Sequence, residues 1–184
     1  MNTLRTSRCV LEPQLEAHAP EMFVVLSDPA IYEFERVPPP SVDKLAAGYR
    51  RLETRVSADG SEQWLNWVVR LPSGELAGYV QATVLPSKAS CVAYEFASRH
   101  WRQGIGSAAV GAMLAELEVS YGVRLFVAVL KAANFRSMGL LRHLGFRPGT
   151  PADAEMFEAE PDEAVMVKAA SASPSVRSGA EHAA

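Results

Sequence analysis

Cysteine is scarce, with two among 184 residues. Cys9 and Cys91 stand far apart and belong to no Cys-x-x-Cys pattern. That rules against a disulfide framework or a thiolate zinc site and leaves two buried, reduced thiols as the expectation. No stretch approaches the ~20 consecutive apolar residues of a membrane span, and Met1 to Pro13 lacks the apolar run of a signal peptide. A soluble, cytoplasmic protein with no membrane partner is expected. A strong excess of either charge is missing too. Lys and Arg number 18 against 21 Asp and Glu, a net charge of −3, which gives no sequence-wide reason to expect nucleic acid. There is no internal repeat. What remains is a chain of ordinary globular composition, 48% hydrophobic and 21% charged, long enough for one domain with a substantial core.

Taken in order, Arg8 to Leu11 reads as a first strand closed by Pro13. Pro20 opens a helix with Met22, Phe23 and Leu26 on its apolar stripe, and Ser27-Asp28-Pro29 ends it. Pro38-Pro39-Pro40 is a stiff spacer. Ser41 is set to cap a second helix carrying Val42, Leu45, Tyr49, Leu52 and Val56 at helical spacing. Trp64 to Leu71 and Leu76 to Leu85 form a hairpin around Pro72-Ser73-Gly74-Glu75, and Cys91 to Ala97 follows after a further turn. Strands joined so tightly are antiparallel neighbours.

The stretch from Tyr94 to Ser107 is the most informative. A strand runs into the basic turn Arg99-His100-Trp101-Arg102-Gln103, and Gly104 and Gly106 open a helix of small residues reaching about Ser120. The first amides of a helix have no partner within it, and glycine lets an anion approach them, so a phosphate cradle is expected. Gly122 ends this helix and Arg124 to Leu130 is a buried strand, which implies a parallel, right-handed crossover. Asn134 caps another helix with Met138, Leu141 and Leu144 inside, Gly145 stops it, and Phe146 begins a strand. A Pro-, Asp- and Glu-rich loop leads to a last strand, Ala164 to Val167. Residues 1–168 make the domain, and 169–184, only Ser, Ala, Pro, Gly, Val and polar residues, a disordered tail.

Gly104-Ile105-Gly106-Ser107-Ala108-Ala109 also fits the loose Gly-x-Gly-x-x-Ala dinucleotide fingerprint. That motif wants its glycines after the first strand and an acid ~20 residues on, whereas here they follow a meander and the next strand ends in Lys131. The context disfavours NAD.

The run Trp101-Arg102-Gln103-Gly104-Ile105-Gly106, then Asn134-Phe135-Arg136-Ser137, then His143-Leu144-Gly145-Phe146-Arg147 resembles the GNAT superfamily of N-acetyltransferases, in its RimJ/RimL-type branch. The resemblance spans roughly Arg8 to Lys168. It implies an α/β fold with a mixed, mostly antiparallel central sheet, a splayed parallel strand pair and helices on both faces. It also implies acetyl-CoA as co-substrate, with no metal. The pyrophosphate would lie on Arg102, Gln103, Gly104, Ile105, Gly106 and Ser107, with the pantetheine arm between the strands ending at Ala97 and Leu130. Phe96, Ala97, Asn134 and Ser137 would contact that arm. Trp101 stands where the wider family has Gln or Arg, and is expected to pack beneath the cradle. Leu141 stands where the wider family has a tyrosine acid, leaving Ser137 as the candidate protonator of the thiolate.

The implied activity is acetyl transfer from acetyl-CoA to a primary amine, either a protein N-terminus, an amino acid or a small amine. A non-catalytic acetyl-CoA-binding module is the alternative, and a homodimer is left open. Freeing a lysine-type amine at pH 7 costs over ~4 kcal/mol, an α-amine nearer ~1. Glu95, on the strand at the gap, is the candidate base, with Glu33 and Glu35 in the segment expected to wall the acceptor. Arg99 and Arg136 are within possible reach of phosphates. The acidic run Asp153, Glu155, Glu158, Glu160, Asp162 and Glu163 is expected as a wet loop that rims the acceptor channel if it favours cationic amines.

Overall fold

A computed structural model describes residues 1–34 and 37–171. Eight strands form one sheet: β1 (Leu4–Arg5), β2 (Val10–Pro13), β3 (Gln63–Arg70), β4 (Leu76–Val84), β5 (Ala89–Phe96), β6 (Leu125–Lys131), β7 (Arg147–Pro148) and β8 (Glu163–Ala169). Their spatial order is β1-β2-β3-β4-β5-β6-β8-β7. Every pairing is antiparallel except β5 with β6. The meander and the parallel crossover are as the turn and glycine signals imply. The strand expected first is second, because a two-residue strand pairs ahead of it. β8 inserts between β6 and β7, a non-local pairing that hydropathy does not encode.

Among the described residues five α-helices cover the sheet: α1 (Ala19–Val25), α2 (Val42–Leu52), α3 (Ile105–Tyr121), α4 (Phe135–His143) and α5 (Pro151–Met156). Strand alternation assigns the faces. Phe126, Ala128 and Leu130 of β6 pack with α3 and α4 in the main core. Val127 packs on the opposite face beside Ala154 and Phe157 of the α5 region. There α1 and α2 bury Met22, Val25 and Tyr49 against Val68 and Tyr79. Ser41 caps α2 as expected, its Oγ accepting the Lys44 N–H. Val56 lies beyond that helix, in an isolated bridge to Gln63.

Three expectations are corrected. The acidic loop contains α5, where Thr150 and Asp153 form a reciprocal capping box with Pro151 at the first turn. The last strand reaches Ala169, one residue into the stretch assigned to the tail; residues 172–184 lie outside the described residues. Cys9 is buried but Cys91 only half-buried, both free and with thiol pKa values raised by burial. No helix among the described residues is long and apolar enough to cross a membrane.

Candidate active site

The parallel pair supplies the central geometry. β5 and β6 are in register only from Ala89 with Leu125 to Cys91 with Val127. Beyond Cys91, β5 continues to Phe96 beside β4 while β6 continues to Lys131 beside β8. The two strands therefore part, leaving a wedge lined by main chain. Ala97 donates its N–H to Ala77 O at 2.9 Å, so that amide is committed to β4. Antiparallel bonding alternates, so the main-chain groups of Tyr94 and Phe96 point the other way, into the wedge. Of the expected pair Phe96 and Ala97, Phe96 is the one presenting its N–H there.

The cradle closes the end of this wedge. Arg102 (φ 60°) and Gly104 (φ 76°) both lie in the left-handed region, a backbone course that turns successive amides toward one side. The first intrahelical bond of α3 is Ala108 N to Gly104 O at 3.1 Å. The amides of Ile105, Gly106 and Ser107 thus have no partner in the helix, and the first turn holds no acid to repel an anion.

The two glycines do different jobs. A β-carbon on Gly104 would sit 3.3 Å from Arg8 Nε, on a backbone that already disfavours side chains. On Gly106 it would sit 2.8 Å from Leu140 Cδ1 and 3.5 Å from Phe96. Gly106 therefore also serves the close packing of α3 on α4 and β5. Arg8 was not anticipated. From the turn before β2 it donates to Gln103 O at 3.2 Å, placing a guanidinium beside the cradle.

Arg99, His100 and Arg136 are already engaged. Arg99 lies 3.7 Å and His100 Nε2 2.6 Å from Glu75. Arg136 pairs with Glu33 and stacks 4.5 Å over the Trp101 ring. Trp101 itself donates Nε1–H to Phe96 O at 2.8 Å, joining cradle to strand as the packing expectation held. Among the described residues, no group of three or more His, Cys, Asp and Glu is arranged to hold a metal.

At the start of α4, Asn134 Oδ1 accepts the Ser137 N–H at 3.1 Å, so the expected cap is formed. That leaves the Nδ2 hydrogens as what Asn134 offers a ligand. Leu141 is 1% exposed, a core residue. A phenol nevertheless reaches this point from elsewhere: Tyr94 of β5 places its hydroxyl 2.7 Å from Ser137 Oγ and 3.2 Å from Ser137 O. Burial pushes the Tyr94 phenol up to about 12, opposed by its bond to Ser137. Sequence alternation puts Tyr94 and Phe96 on the α3 and α4 face and Glu95 on the other, but which helix they meet there is tertiary information.

On the opposite face lies a cavity of about 220 Å³. Gln14, Asn66, Gln81 and Glu95 line it along with Tyr49 of α2. The register sets Asn66 opposite Gln81 and Tyr79 opposite Glu95, so polar side chains run across adjacent strands. Burial raises the Tyr49 phenol pKa, with the nearby Glu95 carboxylate adding to the effect. Glu33 is not among the lining residues, and Glu35 lies outside the described residues. None of the acidic run lines the cavity; Asp162 and Glu163 instead pair with Lys131.

A family model for the acetyltransferase (GNAT) domain matches residues 8–147. No curated protein matches the sequence. Among solved structures, RimL, a ribosomal L7/L12 α-N-protein acetyltransferase in complex with coenzyme A, is similar at a TM-score of 0.75 and 16% identity, covering 91% of this chain and 98% of that one. The ribosomal-protein-S5-alanine acetyltransferase of Vibrio fischeri gives 0.76 and 14%, covering 92% and 97%. A spermidine N-acetyltransferase SpeG chimera from Vibrio cholerae gives 0.72 and 17%, covering 89% and 96%. At these identities the likeness is one of fold.

Proposed function

The chain belongs to the GNAT acetyltransferase family, and from that premise we propose that it moves an acetyl group from acetyl-CoA directly to a primary amine held in the same complex. The observation that carries this is the position of β5. One edge of that strand borders the wedge leading to the α3 amides, and its outward face carries Glu95 into the cavity. Donor and acceptor would then meet across a single strand.

In this reading the three unpartnered amides of α3, with Arg8 beside them, hold the pyrophosphate. Phe96 N–H faces the wedge to polarise the thioester carbonyl. Glu95 takes a proton as the amine attacks, the new N–C bond forms, and the C–S bond breaks. Ser137, hydrogen-bonded to Tyr94, donates a hydrogen bond to the departing thiolate and keeps its own proton. Such a thiolate has a conjugate pKa near ~8.5 and needs only modest help to leave. The acceptors remain a protein N-terminus, an amino acid or a small amine.

Thermal unfolding with each ligand tests the donor assignment. Acetyl-CoA raises the Tm and NAD does not; an unchanged Tm with saturating acetyl-CoA refutes it.

A further inference from the structure

Residues 28–34 touch both halves of the site. One side of the segment belongs to the cavity: Tyr32 lines it with Leu26, and the Tyr32 hydroxyl donates to Leu26 O at 2.7 Å. The other side rests on the elements that carry the cradle and Ser137. Asp28 Oδ2 accepts the Ser98 N–H at 2.6 Å, in the turn that leads into the cradle. Its second oxygen caps the short 3-10 turn Pro29–Tyr32 by accepting the Ala30 N–H at 3.0 Å. At the far end Glu33 pairs with Arg136 of α4. Tyr32 is therefore held between two anchors, one on the chain that follows β5 and one on the chain that follows β6.

Three groups converge on the Arg136 guanidinium. Glu33 supplies a charge, the Trp101 ring centre lies 4.5 Å away and the Phe34 ring centre 5.6 Å. An ion pair with both partners half exposed contributes little by itself, because water screens it. The indole adds what the ion pair lacks, since a planar cation on its face is attracted by the ring quadrupole and held in one orientation. The ring is itself fixed, with Trp101 Nε1–H donating to Phe96 O at 2.8 Å. The contact thus runs from the cavity segment through Arg136 to the strand that borders the wedge. Trp101 is also the residue that stands where the wider family has Gln or Arg. A second cation there would repel Arg136, and a glutamine would offer it no ring.

Arg136 immediately precedes Ser137, the residue placed beside the departing thiolate. We propose that Arg136 is a positioning residue. Held by Trp101, it docks residues 28–34 on the donor side and so sets the Tyr32 wall of the cavity relative to the thioester. The proposal rests on the acetyl-transfer reading of the wedge and cavity. The Arg136 side chain is 50% exposed, so replacing it opens no hole in the core.

Arg136→Gln, Arg136→Lys and Glu33→Gln in the full chain test this, with acetyl-CoA and whichever of leucinamide, leucine and spermidine the wild type acetylates. Arg136→Gln raises the KM for that amine roughly 3- to 10-fold, the loss of one stacked cation and one exposed ion pair. The KM for acetyl-CoA and the Tm rise on binding it stay as in the wild type. Glu33→Gln gives a smaller rise, and Arg136→Lys, which keeps the charge without the planar stack, falls between wild type and Arg136→Gln. The double variant Glu33→Gln/Arg136→Gln is no worse than Arg136→Gln alone. Amide hydrogen exchange at residues 28–34 quickens in the same order. An amine KM that stays put in Arg136→Gln, or that moves only in step with the KM for acetyl-CoA, overturns the proposal, as does an Arg136→Lys enzyme equal to wild type. A wild type that releases thiol with none of the three amines at saturating acetyl-CoA removes the acetyl-transfer reading, and the proposal with it.

Discussion

Replacing Ser137 and Tyr94, singly and together, tests how the thiolate leaves. A phenol held at about 12 cannot usefully surrender its proton to a thiolate of conjugate pKa ~8.5, since transfer would run uphill by ~5 kcal/mol. Tyr94 therefore acts as a fixed donor. Either hydroxyl can donate across the 2.7 Å contact with Ser137 Oγ; when Tyr94 donates, it occupies a serine lone pair and turns the serine proton outward, to the sulfur. A hydrogen bond to a charged group contributes about 1.5–3 kcal/mol, so Ser137→Ala should lower kcat roughly 10- to 150-fold. Tyr94→Phe removes a neutral bond of about 0.5–1.5 kcal/mol and should cost about 2- to 10-fold. The two act through one proton, so the double variant should be no worse than Ser137→Ala alone. The assay is kcat for thiol release, with the Tm increase on acetyl-CoA binding measured alongside to show that the donor site is intact. Losses that multiply in the double variant refute the coupling. A Ser137→Ala enzyme as fast as wild type refutes the serine's role altogether.

Gly104→Val should abolish the acetyl-CoA-induced Tm shift, because a branched side chain at φ 76° beside Arg8 both strains the turn and fills the cradle; a surviving shift means the cradle lies elsewhere. Glu95→Gln should lower kcat by ~100-fold or more, and an unchanged kcat excludes it as the base. Stability should fall as pH rises from ~10 toward 12. Unfolded tyrosines ionise near ~10, while burial keeps Tyr94 protonated to about 12 and raises Tyr49 as well. The folded state then binds more protons in that window, and the unfolded state gains on it as pH rises. Urea midpoints at pH 9 and pH 11 check this, with Tyr94→Phe expected to flatten the difference and equal midpoints in the wild type contradicting it.

The proposed donor side was legible in the chain because it is built from backbone, and backbone demands leave local marks. Gly104, the basic turn before it and Asn134 at a helix start all stand where the structure uses them. The sheet's meander was legible for the same reason, from Pro72 and Gly74 in one turn. The cavity proposed for the acceptor is lined by side chains on four separate segments, and no spacing connects Gln14, Tyr49, Asn66 and Glu95. Tyr94 appeared in the stretch that drew attention first, but its meeting with Ser137 depends on the distance between β5 and α4. The α5 helix is a different kind of miss. Its Thr150-Pro151 start and Asp153 three residues after the cap were in plain view, and the acidic, Pro-rich composition around them obscured the signal.

The central claim is that this fold carries acetyl across β5 from a coenzyme to an amine. Incubating the protein with acetyl-CoA and leucinamide, and following free thiol and N-acetylated product together, tests it most directly. The account predicts thiol and N-acetyl product appearing in equal amounts, dependent on the amine and lost in Gly104→Val. A protein whose Tm rises with acetyl-CoA yet forms no N-acetyl product with this or any amine offered would contradict it, and would be a coenzyme-binding module instead.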